Sequence, residues 1–229
     1  HWGTIPSKSL RQVIQELSIL RNNPMFRDAV DGLDVRYPDM IRRAASVVHS
    51  QTLMRRSYYD RNDVRVFDGH ARFVDANTVE VHKGAAVSRV SADRFIVATG
   101  SSPWRPPEVD FSSPRVCDAN SILQLDFTPR SITISGAGVI GCEYASIFRN
   151  IGCKLNLVNT RDRLLTFLDG EISDALSYHL RDQGCIIRHN EELDSVTASD
   201  DGVIVDLKSG KRLKSDVFLF AQGRSGNTK

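Results

Sequence analysis

The sequence has 229 residues, enough for one large or two modest domains. Its 30 basic and 28 acidic residues nearly balance, which argues against nucleic acid or an anionic membrane surface as a partner. No apolar run could span a membrane, and the four cysteines show neither a CxxC pair nor a metal-ligand spacing. We expect buried free thiols in a cytoplasmic protein. Because the chain opens at His1 rather than at methionine, we also expect residues to precede it.

Two amphipathic helices are expected first. Apolar side chains recur at helical spacing from Leu10 to Leu20. A second helix is expected from about Asp39 to Arg61, with Pro38 near its start, where a missing amide costs nothing. The turn-rich segment between them carries no recognisable chemistry.

Short strands are expected next, because apolar side chains alternate with polar ones from residue 64 onwards. Segments 64–66, 71–73 and 79–81 are separated by turn residues, so we predict antiparallel strands there. An apolar strand is predicted at 95–99, and it ends at Gly100.

The most informative stretch is 130–161, which reads as an apolar strand, a glycine-rich turn, a helix and a second strand. A G-x-G-x-x-G turn in this context predicts a dinucleotide site, although an ordinary glycine-rich turn is the alternative. The glycines allow a tight turn, approach of backbone amides to a pyrophosphate, and close helix packing. The nucleotide-binding residues predicted here are Gly136, Gly138, Val139, Ile140 and Gly141.

The second strand of this stretch ends at Asn159, where a site for NAD usually has Asp or Glu. A neutral amide can accept from a ribose hydroxyl or donate to a 2′-phosphate, and Arg161 could pair with that phosphate. We therefore predict a pocket that admits both NAD and NADP. The alternative is that Arg161 and Arg163 are solvated loop charges.

The end of the chain repeats an earlier pattern. Turns at 200–202 and 209–210 bracket short strands, and an apolar strand at 217–221 is followed by Gly223, much as Gly100 follows 95–99. Two such endings predict two successive nucleotide-binding units of α/β class, with small antiparallel meanders. The boundary is expected within 107–120, which is rich in Pro, Ser and Asp.

Four motifs in order make the sequence resemble the flavoprotein disulfide reductase family. They are I-P-S-K at 5–8, V-A-T-G at 97–100, G-x-G-x-x-G-x-E at 136–143 and A-x-G-R-x-x-N-T at 221–228. The resemblance implies tandem Rossmann-like domains, with 1–116 as the remainder of an FAD-binding domain and 117–229 as an NAD(P)-binding domain. It also implies that the family's first glycine-rich loop and its C-terminal dimer domain lie outside this chain. Because family members form dimers through that last domain, the resemblance implies that the parent protein is a homo-oligomer.

The resemblance also assigns candidate site residues. Lys8 and Glu143 match a pair that lies beside the flavin N5, where a cation would stabilise the reduced ring; a surface lysine and a solvated glutamate are the alternative. Thr99 and Gly100 match a strand end near FAD, although a plain turn would look the same. Gly223 belongs to the last motif.

Two positions depart from the family pattern. Thr4 stands where the second of two redox cysteines falls, and it could contact flavin or cap the following helix. Val139 stands where some members carry a tyrosine over the flavin, so the pocket could be more open, or Val139 could be a core residue.

The threonine decides the expected reaction, since a hydroxyl has no redox chemistry and cannot form a dithiol relay. The resemblance therefore implies an enzyme in which FAD takes a hydride from NADPH and returns it to NAD. Two alternatives remain open: a family member with another acceptor, such as lipoamide or a quinone, or a nucleotide-binding fragment without catalysis of its own.

Overall fold

The computed structural model describes residues 4–26, 28–29 and 35–228, without the side chains of Thr4 and Asn22. It contains two compact units. The first comprises His1–Val48 and Ser102–Ser225, and the second comprises His49–Ser101 and Gly226–Lys229. The division into domains at 1–116 and 117–229 stays a prediction.

The described elements are numbered in chain order. The helices include α1 (Thr4–Asn22), α2 (Tyr37–Arg61), α3 (Val139–Asn150) and α4 (Gly170–Asp182), with a 3-10 turn at Ser121–Gln124. The strands are β1 (His70–Asp75), β2 (Thr78–Lys83), β3 (Ala86–Ser91), β4 (Ser101–Pro103), β5 (Val116–Asp118), β6 (Ser131–Ser135), β7 (Lys154–Val158), β8 (Cys185–Arg188), β9 (Leu193–Ser199), β10 (Gly202–Leu207), β11 (Arg212–Ser215), β12 (Val217–Phe220) and β13 (Arg224–Gly226).

A five-stranded parallel sheet forms the centre of the first unit, in the order β5-β12-β6-β7-β8. All four residues of β12 are buried, as expected of a parallel strand covered on both faces. The chain leaves β6 for β7 on one side, while β12 lies on the other. This is a topological switch point, and the carboxyl ends of strands at such a point leave a crevice for ligands.

Helix α3 follows β6 and packs against the sheet and against α1. Its buried apolar side chains recur at helical spacing, as predicted. Tyr144, Ile147 and Phe148 are buried on that face. The Phe148 ring stacks on Tyr37 of α2 at a centroid distance of 5.0 Å. Leu10 of α1 is buried in the same core, which confirms the predicted apolar stripe.

Strands β9, β10 and β11 form an antiparallel sheet between β8 and β12 in the chain. Val203, Val205 and Leu207 of β10 pack with Phe218 and Phe220 of β12 in a second apolar cluster. The turns predicted at 200–202 and 209–210 are confirmed.

The second unit contains the antiparallel meander β1-β2-β3, which confirms the strands predicted at 71–73 and 79–81. The strands predicted at 64–66 and 95–99 are wrong, since neither segment is regular and Ile96 is 96% exposed. A strand needs a neighbour for its backbone hydrogen bonds. No described segment pairs with either of them.

None of the described helices combines the length and the apolar character that crossing a membrane requires. The described residues also contain no cluster of three His, Cys, Asp or Glu side chains that could hold a metal ion. The described residues form a mixed α/β fold with a five-stranded parallel sheet and small antiparallel sheets, as the sequence predicts.

Candidate functional site

A pocket of about 270 Å³ opens at the carboxyl ends of β6, β7 and β12. The segment 136–138 after β6, residues from Asn159 to Phe167 after β7, and 221–223 after β12 line it. The pocket therefore lies at the switch point of the sheet, where α/β proteins bind nucleotides.

The three glycines of the turn are required for different reasons. Gly136 has φ +108°, and a Cβ there would lie 2.7 Å from the Ala221 carbonyl oxygen. A Cβ on Gly141 would lie 1.8 Å from the Gly136 carbonyl oxygen. A Cβ on Gly138 would meet no protein atom within 4 Å. The outer two glycines are thus needed for the turn itself, while the space beside Gly138 is open to a ligand.

The N-terminus of α3 provides the charge that suits an anion at this point. Gly138 is the N-cap residue and supplies no side-chain hydrogen bond to the first turn. Amides at a helix N-terminus lack intrahelical partners and carry partial positive charge. Ile140 is half-buried against the core, and its backbone amide belongs to the first turn of α3. Val139 is 56% exposed, which excludes the alternative that it is a core residue.

Asn159 is buried, at 6% exposure, and its side chain is engaged by the protein. Its Nδ2 donates to the Arg163 carbonyl oxygen at 2.9 Å and lies 3.2 Å from His189 Nδ1. Its Oδ1 lies 3.4 Å from the Arg161 backbone amide, which donates to it. The Arg161 side chain is exposed on the pocket wall, where its guanidinium contacts the hydroxyl of Thr166.

Lys8 of α1 and Glu143 of α3 form an ion pair, with Nζ and Oε1 separated by 2.6 Å. The Glu143 side chain is 11% exposed and that of Lys8 is 50% exposed. Glu143 is therefore not a solvated glutamate, whereas Lys8 is half-exposed, as the alternative of a surface lysine has it. The predicted place of this pair beside the flavin stays a prediction. A half-exposed pair contributes little to stability, about 1 kcal/mol or less. Half of the Lys8 side chain remains accessible to solvent or to a ligand.

Thr99 and Gly100 lie in the second unit, and the last motif holds them in place. The Asn227 side chain donates to the Thr99 carbonyl oxygen at 3.1 Å, and the Asn227 amide donates to the Gly100 carbonyl oxygen at 3.0 Å. Gly100 has φ +75°, so it ends the segment in a left-handed conformation. The Thr4 side chain lies outside the described residues, and its predicted contact stays a prediction.

Thr166, Phe167 and Gln222 are among the pocket residues that were not predicted from the sequence. Gln222 Nε2 donates to Ser135 Oγ at 2.7 Å, which ties the ends of β6 and β12 together. The sequence could have indicated Gln222, because it lies beside Gly223 and directly after an apolar strand. The loop that carries Thr166 and Phe167 has no motif that marks it.

The four cysteines are free and buried, as predicted. Burial raises the pKa of Cys117, Cys142 and Cys153 to about 12, and that of Cys185 to about 11. At neutral pH all four are thiols, and a thiolate is the form that reacts with disulfides. These cysteines therefore cannot replace the dithiol that is absent near Thr4.

The sequence profile described as Pyridine nucleotide-disulphide oxidoreductase matches residues 1–229, and the chain belongs to this family. It is 52% identical over 229 residues to a protein of Pectobacterium atrosepticum named soluble pyridine nucleotide transhydrogenase. It is 50% identical over 229 residues to a protein of the same name from Serratia proteamaculans. In both comparisons all of this chain is covered but only 49% of the relative, so the chain spans about half the length of these curated relatives.

Solved structures of the same fold support this membership. The HOCl-induced flavoprotein disulfide reductase RclA from Escherichia coli has a TM-score of 0.80 at 26% identity, with 99% of this chain and 48% of that chain covered. LpdA from Mycobacterium tuberculosis has a TM-score of 0.90 at 22% identity, with 99% and 50% covered, and shows the fold alone.

Proposed function

We propose that the polypeptide carrying this sequence is an FAD-dependent enzyme that moves a hydride from NADPH to NAD, giving NADP and NADH. The observation that carries the proposal is the pair of residues, Asn159 and Arg161, at the end of the pocket where the adenosine ribose would lie. A buried neutral Asn159 stands where a carboxylate would repel a 2′-phosphate, and an exposed Arg161 follows it. The names of the relatives agree with this reaction.

Each nucleotide would use the same pocket in turn. The open space at Gly138 and the N-terminus of α3 suit the pyrophosphate that NADPH and NAD share. Arg161 would pair with the 2′-phosphate of NADPH and would remain in solvent when NAD is bound. The inert cysteines favour a second nucleotide over a disulfide as the acceptor.

The chain's residues also fit a flavin. FAD, when bound, accepts a hydride from one nicotinamide ring and returns it to another. Lys8 pairs with Glu143 and stays half-exposed, and its positive charge would favour negative charge on a reduced ring. We retain the predicted division of the chain, 1–116 for FAD and 117–229 for NAD(P). Roles for Thr4, Val139, Thr99 and Gly100 beside the flavin, assembly as a homo-oligomer and a cytoplasmic location also stay predictions.

The test of the reaction is a pair of assays on the purified polypeptide that carries this sequence. We expect NADPH to reduce thio-NAD, followed by the absorbance of the reduced thionicotinamide, and no turnover of lipoamide or another disulfide. Rapid disulfide turnover would refute the proposal. A colourless protein without flavin absorbance would favour the alternative of a nucleotide-binding fragment.

Replacing Lys8 with methionine should slow the reduction of flavin by NADPH by about tenfold or more, because a cation near the developing charge is lost. Stopped-flow absorbance of the flavin measures this rate. Lys208→Met is the matched control, since Lys208 also forms an exposed 2.6 Å ion pair, with Glu192, outside the pocket. An unaltered rate in Lys8→Met would remove Lys8 from the site.

A further inference from the structure

His189 follows β8 and is not part of the pocket wall, but it contacts the residue on which the choice of nucleotide depends. Its Nδ1 lies 3.2 Å from Asn159 Nδ2. The other contact of Nδ2 is the Arg163 carbonyl oxygen at 2.9 Å, which can only accept. A primary amide nitrogen carries two hydrogens and accepts none. Both hydrogens of Asn159 are therefore directed at groups of the protein.

This arrangement defines the protonation of the imidazole. Because Asn159 Nδ2 donates, His189 Nδ1 must accept, so the ring hydrogen lies on Nε2. If Nδ1 carried a hydrogen, two donors would face each other. Turning the amide over would then place Asn159 Oδ1 against the Arg163 carbonyl oxygen. Only one tautomer of His189 is compatible with the contacts of Asn159.

The segment that carries His189 also frames the loop after β7. The backbone amide of Asn159 donates to the Arg188 carbonyl oxygen at 2.8 Å. The backbone amide of Glu191 donates to the main-chain carbonyl oxygen of Asn159 at 3.0 Å. The Asn190 amide donates to the Arg161 carbonyl oxygen at 3.2 Å. These backbone contacts fix the main chain, whereas His189 contacts the side chain of Asn159, which joins the Arg161 amide and the Arg163 carbonyl oxygen.

We propose that His189 is a positioning residue for nucleotide selectivity: as an acceptor at Nδ1 it orients the Asn159 amide, which shapes the loop that presents Arg161. This inference rests on the proposed function of the pocket. It follows that Asn159 has no hydrogen left for a 2′-phosphate, and its Oδ1 accepts from the Arg161 backbone amide. Recognition of the 2′-phosphate then depends on Arg161.

Removal of His189 should act on one end of the nucleotide. In His189→Leu the buried Nδ2 loses an acceptor, and the loop loses the contact that holds the amide between Arg161 and Arg163. The 5′-phosphate end, at Gly138 and α3, does not depend on this contact. The variant His189→Asn keeps an acceptor near the position of Nδ1 and should restore the loop.

The test uses 2′,5′-ADP and 5′-AMP as probes of the adenosine end, with calorimetry on the polypeptide that carries this sequence. We expect His189→Leu to weaken 2′,5′-ADP by about tenfold, since one hydrogen bond is lost and a buried donor is left unpaired. The affinity for 5′-AMP should change by less than about twofold, and His189→Asn should bind both probes within about twofold of wild type. Equal losses for the two probes, or no loss, would overturn the proposal.

A spectroscopic measurement on the wild type keeps the proposal testable even if His189→Leu does not fold. Long-range ¹H–¹⁵N correlation of labelled histidine distinguishes a bare Nδ1 from a protonated one, and loss of a signal in His189→Asn assigns it. A bare Nδ1 supports the proposal, and a protonated Nδ1 at neutral pH overturns it. If the wild type binds neither probe, the proposed function itself fails, which differs from a wild type that binds and a variant that is unaffected.

Discussion

Gly138→Ala should lose nucleotide binding and keep its fold. The backbone at Gly138, with φ −78° and ψ −169°, is open to any residue, and an added methyl group meets no protein atom within 4 Å. That methyl group would occupy the space that a pyrophosphate needs beside the first amides of α3. Each charge-assisted hydrogen bond to phosphate contributes about 1.5–3 kcal/mol, so the loss of one or two should weaken NADPH and NAD by about 100-fold.

Gly141→Ala is the matched control, since it adds the same methyl group in the same turn. Its Cβ would lie 1.8 Å from the Gly136 carbonyl oxygen, so α3 must move away from the turn. We expect a loss of about 3 kcal/mol or more in the free energy of unfolding, because backbone atoms cannot yield as side chains do. Thermal unfolding and nucleotide titration of both variants measure the two effects. If Gly138→Ala bound NADPH as tightly as wild type, the phosphate would not lie at α3.

Arg161→Glu should make the pocket select NAD over NADP. The change removes a cation that could pair with a 2′-phosphate and places an anion on the same wall, as a carboxylate does in sites specific for NAD. The affinity for NADPH should fall by about 100-fold, given about 1.5–3 kcal/mol for the lost charge-assisted contact and added repulsion. The affinity for NADH should change by less than about threefold, since its ribose carries no phosphate.

The control for net charge is Lys154→Glu, which makes the same charge change at the amino end of β7, away from the pocket. Titration of NADPH and NADH by protein fluorescence, at fixed ionic strength, compares the two variants. Equal losses in both variants would mean that general attraction of the anion, not a contact at Arg161, sets the affinity. Unchanged binding of both nucleotides in Arg161→Glu would show that Arg161 is a solvated loop charge.

The parts of the fold that sequence predicts well are those determined locally. The stretch from β6 to β7 combines a glycine turn, helical spacing and two apolar strands, and each signal agrees with the others. The strand predicted at 95–99 was wrong although its composition is typical of a strand. Composition reports the preference of a segment, and only the rest of the molecule provides the partner that a sheet requires.

The candidate site likewise has parts that the sequence determines locally and parts that depend on tertiary structure. The glycines and Arg161 could be placed in a pocket because strand ends determine where they lie, and the resemblance anticipated the pairing of Lys8 with Glu143. The contact between Asn159 and His189 could not be predicted, because it depends on β8 lying beside β7. A sequence shows that an amide is present, but the donors and acceptors around it are determined by tertiary structure.

The position of β12 has a consequence for how this protein is made. It is the last strand of the parallel sheet to be synthesised, yet it lies between β5 and β6 and pairs Val217 with Ile132. Until residues 217–223 are synthesised, β6 has an unpaired backbone edge and the pocket lacks the wall that 221–223 form. Unpaired strand edges make incompletely folded chains prone to aggregation, and pairing of β12 covers this edge of β6.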